Sequence, residues 1–319
     1  MMHSAVILGS AGYTGQETLD RVLVHPGLEL VALGSETLAG RPARTLDPRL
    51  SGDLPMFTHN LDAARAGADL IFLCVGNTDA AAFEPPADTV VIDLSGVHRL
   101  RDPELAREWY GLAPGAWSYG LPEVHAAEGP LIANPGCYAT AALLALAPLA
   151  AVIEGEVIVD AKSGVSGAGK TLRESSHAGS VLENFSAYAI GAHRHAPEIE
   201  QTLGFGVCFV PHLLPVRRGL LATCYLRTDA DARALLEKAY AGSDIVSVLP
   251  EGIEPEIGRL QGTDSAEVGI FLDRVTGTTI VICAIDNLGK GAAGQAIQNA
   301  NQALGLPETA GLRLGSVRV

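Results

Sequence analysis

Basic side chains are scarce in this chain: 22 Lys and Arg stand against 36 Asp and Glu, a formal net charge of −14 at pH 7. Nucleic acids and anionic membranes are held by an excess of Lys and Arg, so neither is expected as a partner. An anionic small molecule must instead be gripped by a few placed cations. No apolar run approaches the roughly 18 residues of a membrane span. The opening "MMHSAVILGSAGYTG" lacks a basic leader and runs directly into a glycine motif, so a soluble, cytoplasmic protein is expected. The five cysteines are irregularly spaced with no Cys-x-x-Cys pair, which argues against a disulfide framework and against a structural zinc site. No metal is expected. Internal repeats, low-complexity tracts and Gly/Ser linkers are also missing.

What is present suffices for two domains: 319 residues, 48% of them hydrophobic. From residue 3 to about residue 95, β-like runs ("AVIL", "LELVALGS", "ADLIFLCVGN", "DTVVIDLSG") alternate with helical patterns, and such alternation predicts a doubly wound parallel sheet. After residue 150 the texture becomes β-rich with intermittent helices ("GEVIVDAKSG", "GVCFVPHLLPVRRGLLATCYLRT", "DIVSVLPEG", "GTTIVICAIDNL"), which predicts an α+β second domain. The tail "KGAAGQAIQNANQALGL" reads as a helix.

Gly9, Gly12 and Gly15 follow the first predicted strand and open a helix. Glycines permit a tight turn there, and the helix N-terminus offers free N–H groups to a pyrophosphate, so this is a dinucleotide site in the expected context. The second strand ends at Ser35, where such folds contact the adenosine ribose. Glu36 beside it favours the 2′-hydroxyl of NAD, whereas Arg41 and Arg44 nearby favour the 2′-phosphate of NADP.

Cys137, in "ANPGCYATAALLALAPL", follows a Pro-Gly turn at the start of a helix, where the dipole favours thiolate. Cys74 and Cys283 lie inside apolar runs and read as inert, as do Cys208 and Cys224. A thiolate nucleophile needs a proton-transfer partner, and "GAHRHAPEIEQ" supplies His193 and His195 around Arg194. Pro197 disfavours the α region at Ala196, so this segment is expected to be extended, with both histidines on one side. Either can be the acid/base. "SGVSGAG", residues 163–169, can form a nest of N–H groups for phosphate. His25, His59 and His98 stand in no motif and read as surface or packing residues, while His125, His177 and His212 carry no assignment.

Eight blocks taken together, "GSAGYTGQE", "VIDLSGVHRLRD", "YGLPEV", "IANPGCYAT", "DAKSGVSGAGK", "GAHRHAPEIEQ", "FVPHLLPVRRGLLAT" and "DNLGKGAAGQAIQNANQALGL", resemble N-acetyl-γ-glutamyl-phosphate reductase, in that family's order and almost end to end. The family is a relative of aspartate-semialdehyde dehydrogenase. The resemblance implies a Rossmann-type domain of residues 1–136 plus 290–319, and a catalytic and oligomerisation domain of residues 137–289 with a mostly antiparallel sheet. It implies Cys137 as nucleophile with His193 and His195. It further implies an NADP site at Gly9, Ser10, Gly12, Tyr13, Thr14, Gly15, Ser35, Arg41, Ser166, Gly167, Asn287 and Lys290, and substrate contacts from Arg99, Ser163, Arg194, Glu198 and Arg218. The assembly implied is a homo-oligomer, tetramer or dimer. This chain departs from the family at Ser35-Glu36, where Ser-Arg is usual, at Gly76-Asn77 and at Val97-His98. The first departure leaves NAD open as cofactor.

The reaction implied is reduction of a small-molecule acyl phosphate to a semialdehyde through a cysteine thioester, a step of arginine biosynthesis. Three other readings are a reductase of carrier-protein-linked aminoadipyl phosphate in lysine biosynthesis, aspartate-semialdehyde dehydrogenase, and a non-catalytic NAD(P) sensor. A surface of this charge repels an acidic carrier, the flanks of Cys137 are unlike those of the second enzyme, and a sensor needs no thiolate.

Overall fold

The computed structural model describes residues 2–50, 52–170 and 177–315. It divides into two compact units, Met1–Pro135 with Ala292–Leu312, and Gly136–Gly291 with Arg313–Val319. The sequence placed all of 290–319 in the first domain. Gly136, Lys290, Gly291 and the described residues from Arg313 to Gly315 fall in the second unit; Asp264 donates its N–H to the Arg313 carbonyl (2.7 Å) and accepts the Arg313 N–H on its carboxylate (2.8 Å).

In the first unit the strands are β1 (His3–Leu8), β2 (Leu28–Gly34), β3 (Phe57–Thr58), β4 (Leu70–Leu73), β5 (Val90–Asp93), β6 (Ser118–Tyr119) and β7 (Leu131–Ala133). They form one sheet in the order β3-β2-β1-β4-β5-β7-β6, every pairing parallel. Ala5–Leu8 and Leu70–Leu73 are buried throughout, as strands covered on both faces must be, and this is why they read as unbroken apolar runs rather than alternating ones. The helices are α1 (Tyr13–Val22), α2 (Asn60–Ala64), α3 (Asn77–Ala81) and α4 (Pro103–Tyr110). α4 has a complete set of end signals: the Asp102 carboxylate accepts the Glu104 N–H at its start, Pro103 sits in its first turn, and Gly111 closes it with φ 71°.

The second unit begins with α5 (Cys137–Leu146), whose residues from Tyr138 to Leu146 are all buried. There follow β8 (Glu154–Gly164), α6 (Ala178–Val181), β9 (Ser186–Ala187), α7 (Ala196–Leu203), β10 (Cys208–Leu214), β11 (Leu220–Arg227), α8 (Ala232–Ala239), β12 (Val246–Val248), α9 (Ile257–Leu260), β13 (Ala266–Leu272) and β14 (Thr279–Ile285). The seven strands run β12-β13-β14-β11-β8-β10-β9, with four antiparallel pairings and two parallel ones. β13 escaped the sequence reading. Gly269 interrupts its apolar run, and there the ring of Pro255 comes within 2.7 Å of where a Cβ would stand.

Beyond a π turn, Gly289–Ala293, the chain enters α10 (Gly294–Ala303), which belongs to the first unit. Its Ala296, Ile297 and Ala300 join the core formed by Ile7, Leu19, Leu33 and Phe72. Its polar face is equally buried. The Asn299 side-chain amide donates to the Gly120 carbonyl (2.9 Å) and to the Asn134 side chain (3.0 Å), and Asn134 in turn donates to the Ala292 carbonyl (3.1 Å). These bonds supply the partners that buried amides require. No helix among the described residues is long and apolar enough to cross a membrane.

Candidate active site

In the first unit, Gly9, Gly12 and Gly15 form the turn from β1 into α1, and each glycine has a different reason to be there. Gly9 has φ 72°, and a Cβ on it would lie 2.3 Å from the Cys74 carbonyl oxygen. A Cβ on Gly15 would lie 2.5 Å from the Gly9 carbonyl oxygen. Gly12 is not forced by its own surroundings, since the nearest heavy atom would be 3.4 Å away, and the lack of a side chain there keeps the approach to the helix start open. Gly12 caps α1 with no side-chain hydrogen bond and no acidic residue follows in the first turn, so the N–H groups of Tyr13, Thr14 and Gly15 and the positive end of the dipole meet whatever binds. This turn fits a dinucleotide pyrophosphate.

Ser10, in the same turn, has its side chain turned to the protein. It is fully buried and spends its hydroxyl on the Gly34 carbonyl (2.7 Å), locking β1 to the end of β2. Ser35 is buried too, and its hydroxyl accepts the Leu38 N–H (3.2 Å). Arg41 is exposed, with its backbone paired to Phe57. Asn60 was not singled out by the sequence. Its side-chain oxygen accepts the Gly9 N–H (2.9 Å), and a Cβ on Gly34 would collide with it at 2.5 Å. The Asn60 N–H and the His59 ring both bond the Glu36 carboxylate (2.9 and 2.8 Å), which holds it below the usual carboxylate range.

His98 and His25 prove to be packing residues. His98 stacks on Trp117 with ring centroids 4.0 Å apart and pairs through Nδ1 with the buried Asp93 (2.7 Å). His25 bonds Asn301 (2.9 Å) and accepts the Gly27 N–H (2.9 Å). Arg99 also lies in this unit, buried after β5, and donates to the Leu94 carbonyl (3.1 Å).

In the second unit Cys137 is the first residue of α5, capped by Gly136, with no acidic residue in the first turn. The thiol is half-buried. Glu198, expected to touch substrate, is fully buried and instead accepts the Gly136 N–H at 2.6 Å. It is therefore a positioning residue that pins the loop in front of the thiol to α7. Gly291 packs on the other side, where a Cβ would come within 2.8 Å of the Cys137 Cβ.

The two histidines do come together, with ring centroids 4.8 Å apart, but not on an extended chain. His195 has φ −85° and ψ −15° and caps α7, and Pro197 sits in the first turn of that helix, where a missing N–H costs nothing. The His195 N–H donates to His193 Nδ1 (3.2 Å), which places the His193 ring proton on Nε2. Burial, and then the Arg194 charge, bring His193 down to about 4. His193 is thus a neutral hydrogen-bond donor at pH 7. The unfolded chain takes up a proton at His193 below about pH 6.5 while the native state does not until about 4, so this residue lowers stability as pH falls through that window. Denaturant titrations at pH 7 and pH 5 should show a loss of about 2 kcal/mol that is absent in His193→Gln.

Tyr138 supports both rings edge-on at 5.4 and 5.8 Å. Its hydroxyl donates to the His212 carbonyl (3.0 Å) and accepts from Tyr188 (3.1 Å), and burial pushes both phenols up, Tyr188 to about 12. His212, unassigned until now, follows on β10 with Nδ1 3.1 Å from Asp160. Arg194 is exposed. Arg218 is buried, and the Asp286 carboxylate accepts its Nε–H at 2.5 Å, which sets the plane of the guanidinium.

In the 163–169 segment only part of the expected nest is available. Val165–Ala168 form a 3-10 turn, and the N–H groups of Gly164, Val165 and Ser166 are spent on the carbonyls of Gly219, Val216 and Arg217. Three of its residues still gather with Asn287: the Asn287 amide donates to the Ser166 hydroxyl (2.9 Å), and a Cβ on Gly167 would meet the Ser163 hydroxyl at 3.1 Å. Lys290 is buried in the π turn. Among the other cysteines, burial raises Cys74 and Cys224 to about 12 and Cys283 higher still. Cys208 departs from the expectation of burial and is exposed at the start of β10.

Residues 4–129 match the family "Semialdehyde dehydrogenase, NAD binding domain" and residues 137–287 match "Semialdehyde dehydrogenase, dimerisation domain". The N-acetyl-gamma-glutamyl-phosphate reductase of Salinispora arenicola is 43% identical over 96% of this chain and 96% of its own, and that of Pelotomaculum thermopropionicum 42% identical over 96% of each. The chain belongs to the N-acetyl-γ-glutamyl-phosphate reductase family. Its fold is shared with aspartate semialdehyde dehydrogenase II of Vibrio cholerae, at a TM-score of 0.73 and 19% identity, covering 95% of this chain and 98% of that one. Among the residues that the family resemblance assigned, the second unit thus brings His193 and His195 together beside Tyr138, the residue that follows Cys137 in α5, and Ser163, Ser166 and Gly167 around Asn287. Tyr138, Tyr188 and Asn60 were missed because no spacing rule marks them.

Proposed function

We propose that this chain reduces N-acetyl-γ-glutamyl phosphate to N-acetylglutamate 5-semialdehyde and inorganic phosphate, a step of arginine biosynthesis. The observation that carries the reading is a half-buried thiol on the first turn of α5 in the same unit as a paired His193 and His195, in a chain whose relatives of that name match it over nearly its whole length. The Cys137 thiolate attacks the acyl carbon, the C–O bond to phosphate breaks, and a thioester forms. The Gly9 to Gly15 turn would hold a reduced nicotinamide dinucleotide, which would supply hydride when bound. His195 gives and takes the proton on the thiohemiacetal oxygen, because His193, neutral with its proton on Nε2, serves better as a fixed donor to the same oxygen. Arg218 and Ser163 in the second unit and Arg99 in the first are the candidates for substrate anions. The acid at Glu36 bears against the NADPH that the resemblance implies, with Arg41 the only assigned basic contact on the 2′ side. We assign a homo-oligomeric state through the 137–287 segment, on the dimerisation-domain match. Cytoplasmic residence fits a biosynthetic enzyme of this kind.

The test runs the reaction backwards with N-acetylglutamate semialdehyde and phosphate, following reduction of NAD and of NADP separately. Phosphate-dependent turnover is expected. Turnover only with the carrier-linked aminoadipate semialdehyde would move the chain to lysine biosynthesis, and none with either would sink the enzyme reading.

A further inference from the structure

We propose that Glu36 is a specificity residue that selects a dinucleotide with a free adenosine 2′-hydroxyl over one with a 2′-phosphate, so that NADH is preferred to NADPH. The inference rests on the dinucleotide reading of the Gly9 to Gly15 turn.

In a doubly wound sheet the adenosine ribose lies off the C-terminal end of the second strand. β2 ends at Gly34, and Glu36 stands two residues beyond it. Its carboxylate is held by one donor on each oxygen: Oε1 accepts the Asn60 N–H at 2.9 Å, and Oε2 lies 2.8 Å from His59 Nδ1. Asn60 also accepts the Gly9 N–H through its side chain at 2.9 Å. One residue thus ties the acid and the glycine turn into a single frame. The same donors keep Glu36 ionised, and an ionised carboxylate only accepts hydrogen bonds. It can therefore take the proton of a 2′-hydroxyl and must repel a 2′-phosphate.

The charge of the carboxylate itself is not neutralised by an arginine. Among the described residues neither Arg41 nor Arg44 forms an ion pair with Glu36, and the basic group touching it is a histidine rather than a permanent cation. The Ser35 hydroxyl already accepts the Leu38 N–H (3.2 Å) and lies 3.3 Å from the Thr37 hydroxyl.

Dissociation constants for NADH and NADPH, measured by fluorescence titration of the purified protein without substrate, test the proposal independently of turnover. The wild type should bind NADH about tenfold or more tightly than NADPH. Glu36→Gln keeps an acceptor for the Asn60 N–H and removes the charge; it should tighten NADPH about tenfold and change NADH by less than about threefold. Equal binding of the two by the wild type, tighter NADPH, or an unchanged ratio in Glu36→Gln would overturn the inference while leaving the dinucleotide site intact. Binding of neither would overturn the site itself, and the inference with it.

Discussion

Cys137→Ser should lower turnover about 10⁴-fold or more while leaving the fold and dinucleotide binding intact. Serine preserves the shape of the side chain at the start of α5 but replaces a group that ionises readily at a helix N-terminus with one that does not. The sharper readout is phosphate release from the acyl phosphate in the absence of any dinucleotide. The wild type should release one phosphate per active site in a burst as the thioester forms and then stall. The serine variant should show no burst. A burst of equal size in the variant would mean that the acyl group is carried by another residue; Cys74, Cys224 and Cys283 are poor alternatives, since burial raises all three thiols far above the range of a thiolate nucleophile.

Gly291→Ala should have the second largest effect, although position 291 carries no functional group. A Cβ there would stand 2.8 Å from the Cys137 Cβ and 3.2 Å from both the Asp286 carbonyl oxygen and the Ile285 Cδ1. Neither Cys137 Cβ nor the backbone oxygen is the far end of a flexible side chain, so the π turn or the start of α5 has to move. Overpacking of this kind costs about 1–3 kcal/mol, and a shift of the nucleophile by about 1 Å costs on the order of 10²-fold in rate. Gly258→Ala is the control: that glycine lies inside α9 with no heavy atom within 4 Å of an added Cβ, and the substitution should leave rate and stability almost unchanged. Equal behaviour of the two variants, by denaturant titration and kcat, would show that the packing of Gly291 against the thiol has no bearing on its placement.

The parallel sheet, the glycine turn, the thiol at a helix start and the histidine pair were all legible in the sequence, because each is written in local spacing. Apolar runs mark strands buried on both faces, glycine marks a forced turn, and residue type marks the chemistry available. Other features were not legible, because a hydrogen-bond partner or a degree of burial belongs to the fold rather than to the neighbouring residues. Glu198 looked like a substrate contact until its carboxylate was found on the N–H of Gly136, 62 positions away. The Ser10 hydroxyl is on the Gly34 carbonyl, and three N–H groups of the 163–169 loop are on the carbonyls of Val216, Arg217 and Gly219. Local rules also misjudged the approach to His195, since Pro197 is as well placed in the first turn of a helix as in an extended chain. The sequence alone determined which groups the protein has for its chemistry. Tertiary structure decided which of them are held ready and which are already spent, because every buried donor and acceptor must find a partner and the fold chooses it.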